Sequence, residues 1–179
     1  MSQTEEKYYI CIDLKSFFAS VECSDRGLDP FKTNLVVADE RRTSGAICLA
    51  ITPAMKKQGV KNRCRLFEIP SNMKYMIVAP RMKRYMEVSA QIYGIYLKYI
   101  SADDILPYSI DECFIDVTSY LMMYGMTPRQ LAERLMQAVL DETGIYATAG
   151  IGTNMFLAKL ALDITAKKVP DGIGYLDKS

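Results

Sequence analysis

The sequence predicts an α+β protein: a ferredoxin-like βαββαβ sheet with a small α/β segment inserted after its first strand. Three observations carry this. Short apolar runs of strand length recur at YYICID (8–13), in both arms of LPYSIDECFIDVT (106–118) and at IYATAGIG (145–152). Two longer segments, 81–100 and 128–143, carry apolar residues at helical spacing. With residues 15–80 set aside, the order is strand, helix, strand, strand, helix, strand, the split βαβ arrangement.

Each element has its own local reason. YYICID is an apolar run that stops at Asp13 and reads as a buried strand. SFFASVECSDRG follows as a helix, with Phe17, Val21 and Ser24 on one face and Gly27 ending it. NLVVAD and AICLAI have strand length. TPAMKKQG is a short helix entered through Pro53 and ended at Gly59. YMIVAP is a strand closed by Pro80. From Arg81 to Ile100 runs a long amphipathic helix with Tyr85, Val88, Ile92, Ile95, Tyr96 and Tyr99 on its apolar face. After the hairpin, Thr127-Pro128 opens a helix with the stripe Leu131, Leu135, Val139, ending at Thr143-Gly144. Asn154 caps a helix through Met155, Leu157, Leu160, Ala161 and Ile164, with Met155, Leu157 and Leu160 assigned to the core. GIGYL is a last short strand.

Composition narrows the chemistry. The chain has 179 residues, half of them hydrophobic, enough for a sizeable core. Lys and Arg number 22 against 21 Asp and Glu, so any DNA contact it makes is expected to be weak. There is no His, and the five Cys form no C-x-x-C pair, which argues against a zinc site and removes the base that Ser/His/Asp and Cys/His catalysis needs. Scattered thiols without a secretory signal fit a reducing cytoplasm, and no apolar run reaches membrane-spanning length.

The acids are the informative residues. Asp111 and Glu112 join the two strands of the hairpin without the Gly or Asn that usually accompanies such a turn. In the predicted topology the first strand lies antiparallel to the third, so Asp13 at its end meets the Asp111-Glu112 turn. Three clustered carboxylates repel unless a cation joins them. The alternatives are a metal site and a solvated turn. Asp103-Asp104 reads as a solvated loop. Asp116 lies about 13 Å along the strand from Glu112 and reads as a rim hydrogen-bonding residue.

IDLKSFFASVE, SGAICLA, KKQGVKNR, YSIDECFIDVT and TAGIGTNMFLAKLA, in that order, resemble the Y-family translesion DNA polymerases of the UmuC/DinB-like, ImpB/MucB/SamB type, with the UmuC-like branch nearest. The resemblance covers nearly the whole chain. It implies a palm domain from 1–14 and 81–179 and a fingers domain at 15–80, with the family's thumb and little finger absent from this chain. It further implies that Asp13, Asp111 and Glu112, with the carbonyl of Leu14, bind two Mg²⁺ ions, or Mn²⁺. Lys15, Ser16, Phe17 and Phe18 surround the triphosphate, with Phe18 as the aromatic gate against a ribose 2′-OH; ordinary core packing is the competing reading of Phe18. Lys159 takes the place of a lysine that reaches the incoming nucleotide. Lys56, or Lys57, stands for a phosphate-clamping Arg, and Thr52 is carried over with it; the family's Tyr three residues before that Arg is Pro53 here.

The implied activity is template-directed nucleotidyl transfer from a dNTP to a primer 3′-OH, in DNA damage tolerance and the SOS response. The partners would be primer-template DNA and dNTP, with a sliding clamp or accessory SOS proteins engaging regions outside this chain. The chain by itself is expected to fold but to polymerise weakly. Two other readings share the sheet: a nucleotide cyclase, which has no need of the 15–80 insertion, and an inactive or RNA-binding module, which would need exposed aromatics on the central strands.

Overall fold

The computed structural model describes residues 6–39, 41 and 43–176. Its elements run β1 (Tyr9–Leu14), α1 (Phe17–Asp25), β2 (Leu35–Val37), β3 (Ala50–Ile51), α2 (Pro53–Lys57), β4 (Met76–Val78), α3 (Met82–Tyr96), β5 (Ile105–Ser109), β6 (Glu112–Asp116), α4 (Thr118–Tyr124), α5 (Pro128–Thr143), β7 (Ala147–Gly152), α6 (Met155–Ile164) and β8 (Ile173–Leu176). The chain divides into two compact units: one holds the residues up to Leu14, Ser89–Glu142 and those from Tyr146 on; the other holds Lys15–Val88 and Thr143–Ile145.

The first unit is built on a five-stranded sheet in the order β5-β6-β1-β7-β8. β1 pairs antiparallel with both β6 and β7, β5 with β6 antiparallel, and β8 adds parallel to β7. Pro107 sits in β5, where an edge strand can spare its missing N–H, and the register shifts between Pro107 and Ser109. Alternation along β1 and β6 puts Tyr9, Cys11 and Asp13 on one face with Glu112 and Phe114. On that face Cys11 and Phe114 pack with Ala158, Leu162 and Ala166.

The face that α6 buries differs from the one the sequence predicts. Met155 and Ile164 are exposed, Leu157 and Leu160 only half-buried, and the covered residues are Ala158, Ala161 and Leu162. Glycines in the sheet are the reason. A Cβ at Gly150 would lie 2.1 Å from the Ala158 carbonyl oxygen, and one at Gly152 2.4 Å from the Ala158 nitrogen. The helix backbone rests directly on the strands, so small residues line the contact and the large ones are displaced to its flanks.

Other helices follow their patterns. Leu131, Leu135 and Val139 are all fully buried. Thr127 and Gln130 cap α5 reciprocally, each backbone N–H donating to the other's side-chain oxygen at 3.1 and 3.0 Å. Asn154 accepts the Leu157 N–H at 2.8 Å, as its N-cap position requires. α4 is a helix that the sequence reading leaves out. Its residues TSYLMMY carry no apolar stripe: Met122 is 93% exposed, and of its residues only Tyr120 is buried.

The second unit carries a three-stranded sheet, β3-β2-β4. AICLAI is not one regular strand: only Ala50–Ile51 join the ladder, while Ile47 bridges Arg65. Cys48 donates its N–H to the Cys64 carbonyl and Leu49 its own to Val37, so this segment divides its hydrogen bonds between two neighbours. In α1 the fully buried Glu22 is met by Arg81 and Arg26, and Asp25 by Arg81 and Arg84.

Candidate active site

The sheet brings Asp13 and Glu112 face to face as cross-strand partners at the ends of β1 and β6. The turn between β5 and β6 is fastened from two sides. Leu14 donates its N–H to the Asp111 carbonyl at 2.9 Å, and Ser89 Oγ donates to the Ile110 carbonyl at 2.6 Å. Asp13, Asp111 and Glu112 are half-buried, and each offers a carboxylate oxygen within 4.8 Å of the others. A divalent cation fits among such oxygens.

Burial and like charge set the electrostatics of the corner. Asp13 is pushed up to about 7, first by burial and next by the charge of Asp111, with Glu112 adding; Lys167 and Lys159 pull the other way. Lys159 is bonded to Glu112 Oε1 and lies 3.4 Å from Asp163. Burial works against its ammonium, but the Glu112 hydrogen bond and charge, with Asp163 behind, outweigh it and raise the pKa. Lys167 Nζ is 4.0 Å from Asp13 Oδ2. Cys11 Sγ donates to Glu112 Oε1 at 3.6 Å, its thiol pushed up by burial and then by Glu112. Opposite Asp13 on β7 stands Thr148, 1% exposed, whose Oγ1 has no hydrogen-bond partner.

A cavity of about 40 Å³ lies on the other face of this corner, lined by Ile12, Leu14, Tyr96 and Asp111 among others. Glu112 lines it as well, and it is too small to hold a nucleotide. A groove of about 660 Å³ between Tyr99, Tyr124, Arg134 and Gln137 includes none of the three acids.

The remaining residues singled out by the sequence have definite places. Lys15 has its ammonium 5.7 Å from the Phe31 ring centre and its carbonyl accepting from Ser20 Oγ at 2.6 Å. Ser16 takes a left-handed conformation, φ 46 and ψ 52, just ahead of α1, with no side-chain cap bond. Phe17 is buried; Phe18 is half-buried and stacks on Tyr85 with ring centres 4.5 Å apart at 14°. Lys56 and Lys57 are exposed in the last turn of α2. Thr52 is fully buried, donating to the Thr33 carbonyl at 2.6 Å and accepting the Leu35 N–H at 3.3 Å, so its hydroxyl braces the chain ahead of α2. Asp104 accepts from Tyr120 Oη at 2.6 Å, and Asp116 from the Thr118 N–H at 3.0 Å. Lys167, beside Asp13, and Thr148, the strand partner of Asp13 on β7, are neighbours of the acids that the sequence reading misses. A lysine near the end of a chain looks solvated, and a strand threonine looks like sheet filler; only the pairing of β7 with β1 exposes the second.

A half-buried acid corner on a mixed α+β sheet defines a class of site, and the sequence as a whole says which family carries it here. The chain belongs to the impB/mucB/samB family, whose profile matches residues 12–163. It is 40% identical over 174 residues to "DNA polymerase IV 2" of Halalkalibacterium halodurans, covering 97% of this chain and 42% of that one. A protein of the same name from Bacillus subtilis is 38% identical over 177 residues, again covering 97% and 42%. Among solved structures, DinB from Sulfolobus solfataricus superposes with a TM-score of 0.77 at 28% identity, over 96% of this chain and 48% of that one. The chain therefore spans about two fifths of the length of these two relatives.

Proposed function

We propose that this chain carries the catalytic centre of a template-directed DNA polymerase that works on damaged DNA. The observation that carries the reading is the meeting of Asp13, Asp111 and Glu112 within 4.8 Å, in a family whose relatives are named DNA polymerases. The strand order β5-β6-β1-β7, antiparallel throughout, supports a ferredoxin-like palm with β8 added at its edge. Residues 1–14 and 81–179 would form that palm and 15–80 the fingers.

The three carboxylates, all oxygen donors in a chain without His, suit two Mg²⁺ ions, with Mn²⁺ as substitute. Bound there, such ions would neutralise charge on the transferring phosphoryl group and lower the pKa of the primer 3′-OH. Asp13, Asp111 and Glu112 hold them, and the Leu14 carbonyl adds a ligand. The left-handed turn at Ser16, with the first N–H groups of α1 free of a side-chain cap, supports the Lys15–Phe18 backbone as a phosphate cradle. Phe18 excludes the ribose 2′-OH; its half-exposed ring, backed by Tyr85, is held in one orientation. Lys159 reaches the triphosphate, and Lys56 or Lys57 clamps it from the fingers as a point charge. Thr52 drops out of this set, since its hydroxyl is buried and occupied.

Primer-template DNA and dNTP are the substrates in this reading. A sliding clamp or SOS accessory proteins are the further partners, and the cytoplasm is the compartment. No helix among the described residues is long and apolar enough to cross a membrane. Neither cyclase nor RNA-binding chemistry finds support in the relatives.

The test is metal-dependent dNTP binding and single-nucleotide primer extension by the chain, in Mg²⁺ and in EDTA. Both activities should need the metal, and Glu112→Gln should abolish extension. Metal-independent binding that Glu112→Gln leaves intact would overturn the reading.

A further inference from the structure

The acid corner contains two ammonium groups of its own. Lys159, in α6, is bonded to Glu112 Oε1 and also reaches Asp163. Lys167, in the 3-10 turn Ala166–Lys168 that follows, stands 4.0 Å from Asp13 Oδ2. Both come from one stretch of chain whose place is fixed by contact with glycines. Cβ atoms at Gly150 and Gly174 would collide with the Ala158 and Ala161 carbonyls at 2.1 and 2.5 Å. The two lysines are therefore delivered by α6 and the 3-10 turn after it, from a helix whose backbone rests directly on the sheet. Asp111, the third acid, meets Ser109 Oγ at 2.9 Å.

A divalent ion needs the lone pairs that these ammonium groups now face. Like charges at that separation repel, so ion and ammonium compete for the same two carboxylates. We propose that Lys159 and Lys167 are tethered counter-ions of the acid corner, which hold Glu112 and Asp13 in place before a metal arrives and are displaced when it binds. This rests on the metal reading of the corner and goes beyond it. Towards the metal the lysines act as positioning residues, through the carboxylates. Two consequences follow. Separating each ion pair opposes metal binding, so an ion alone binds weakly. Once displaced, the ammonium groups attract anions, so a phosphate-bearing ligand and the metal strengthen each other's binding reciprocally.

The experiment uses Mn²⁺ alone, without nucleotide. Amines of the wild-type chain are acetylated with and without saturating Mn²⁺, and each site is read by mass spectrometry. Labelling of Lys159 and Lys167 should rise with Mn²⁺, while Lys98, paired with Glu142 away from the corner, should not change. Calorimetric titration with Mn²⁺ then compares Lys167→Met and Lys167→Arg with the parent chain. Lys167→Met should bind Mn²⁺ roughly fivefold more tightly, the size of one half-exposed ion pair, and melt lower in EDTA. Lys167→Arg should behave like the parent. Unchanged labelling under saturating Mn²⁺, or unchanged or weaker Mn²⁺ affinity in Lys167→Met, would overturn the counter-ion role while leaving the metal reading intact. Failure of the wild-type chain to bind Mn²⁺ even with a dNTP present would overturn both.

Discussion

Asp13 and Glu112, far apart in the sequence, are direct cross-strand partners in the β1–β6 pair and lie on the sheet face covered by α6. With Asp111 one residue before Glu112, that pairing gathers three carboxylates at one corner. Burial first, and the charge of Asp111 next, hold the Asp13 pKa up at about 7.

That shift has a sign. A carboxyl whose folded pKa is raised stabilises the fold at low pH and loses that contribution as pH climbs from about 4 through about 7. In EDTA at pH 8, Asp13→Asn should therefore be more stable than the parent, by up to about 4 kcal/mol. It should also lose the stabilisation that Mn²⁺ gives the parent. Thermal melts with and without Mn²⁺ check both; a variant less stable than the parent in EDTA would count against charge crowding at Asp13.

Asp25 should behave oppositely. Hydrogen bonds from Arg84 and then Arg81 outweigh its partial burial and hold it down to about 2. A lowered pKa contributes stability above about 4 that is lost as pH falls towards 2. Asp25→Asn should cost about 1 kcal/mol at pH 7, modest because the pairs are partly exposed. The gap to the parent should shrink below pH 4 in urea titrations; a gap that is constant with pH would contradict the assignment.

Two glycines should respond with opposite signs. Gly150→Ala forces a Cβ against the Ala158 carbonyl oxygen and the Leu162 nitrogen at 2.1 and 2.4 Å. Backbone cannot yield that far, so a loss of about 3 kcal/mol or more, or failure to fold, is expected. Gly94→Ala, in α3 with nothing within 4 Å of the new Cβ, should stabilise by about 0.5–1 kcal/mol through helix propensity. Urea midpoints of the two variants decide this.

Phe18→Ala tests the gate. If Phe18 excludes the 2′-OH, the ratio of ribonucleotide to deoxyribonucleotide incorporation should rise about tenfold or more, a loss of about 1.4 kcal/mol of discrimination. Stability should fall less than for a fully buried Phe. An unchanged ratio with a large loss of stability would return Phe18 to packing alone.

What the sequence reveals, and what it hides, follows from where the physical signal lies. Asp111 and Glu112 stand out because acids at the join of two apolar strands are locally unfavourable. Asp13 joins them once antiparallel neighbours are reasoned from element order. The α5 stripe is legible because its helix meets neighbours through large side chains. The α6 face is misread because its contact is made by glycines in other elements, which turn Ala158 and Ala161 inward and leave Met155 outside. α4 is missed because exposed Met122 and Met123 carry no periodicity. Lys167 and Thr148 become neighbours of Asp13 only through pairing that no local pattern encodes.

The most direct test of the account is the position of Mn²⁺ in crystals of the chain grown with Mn²⁺ and a dNTP, located by anomalous scattering. The account predicts anomalous density bonded to oxygens of Asp13, Asp111 and Glu112, about 2 Å from each ligand. Nucleotide bound in full occupancy with no anomalous density at those three carboxylates would contradict it.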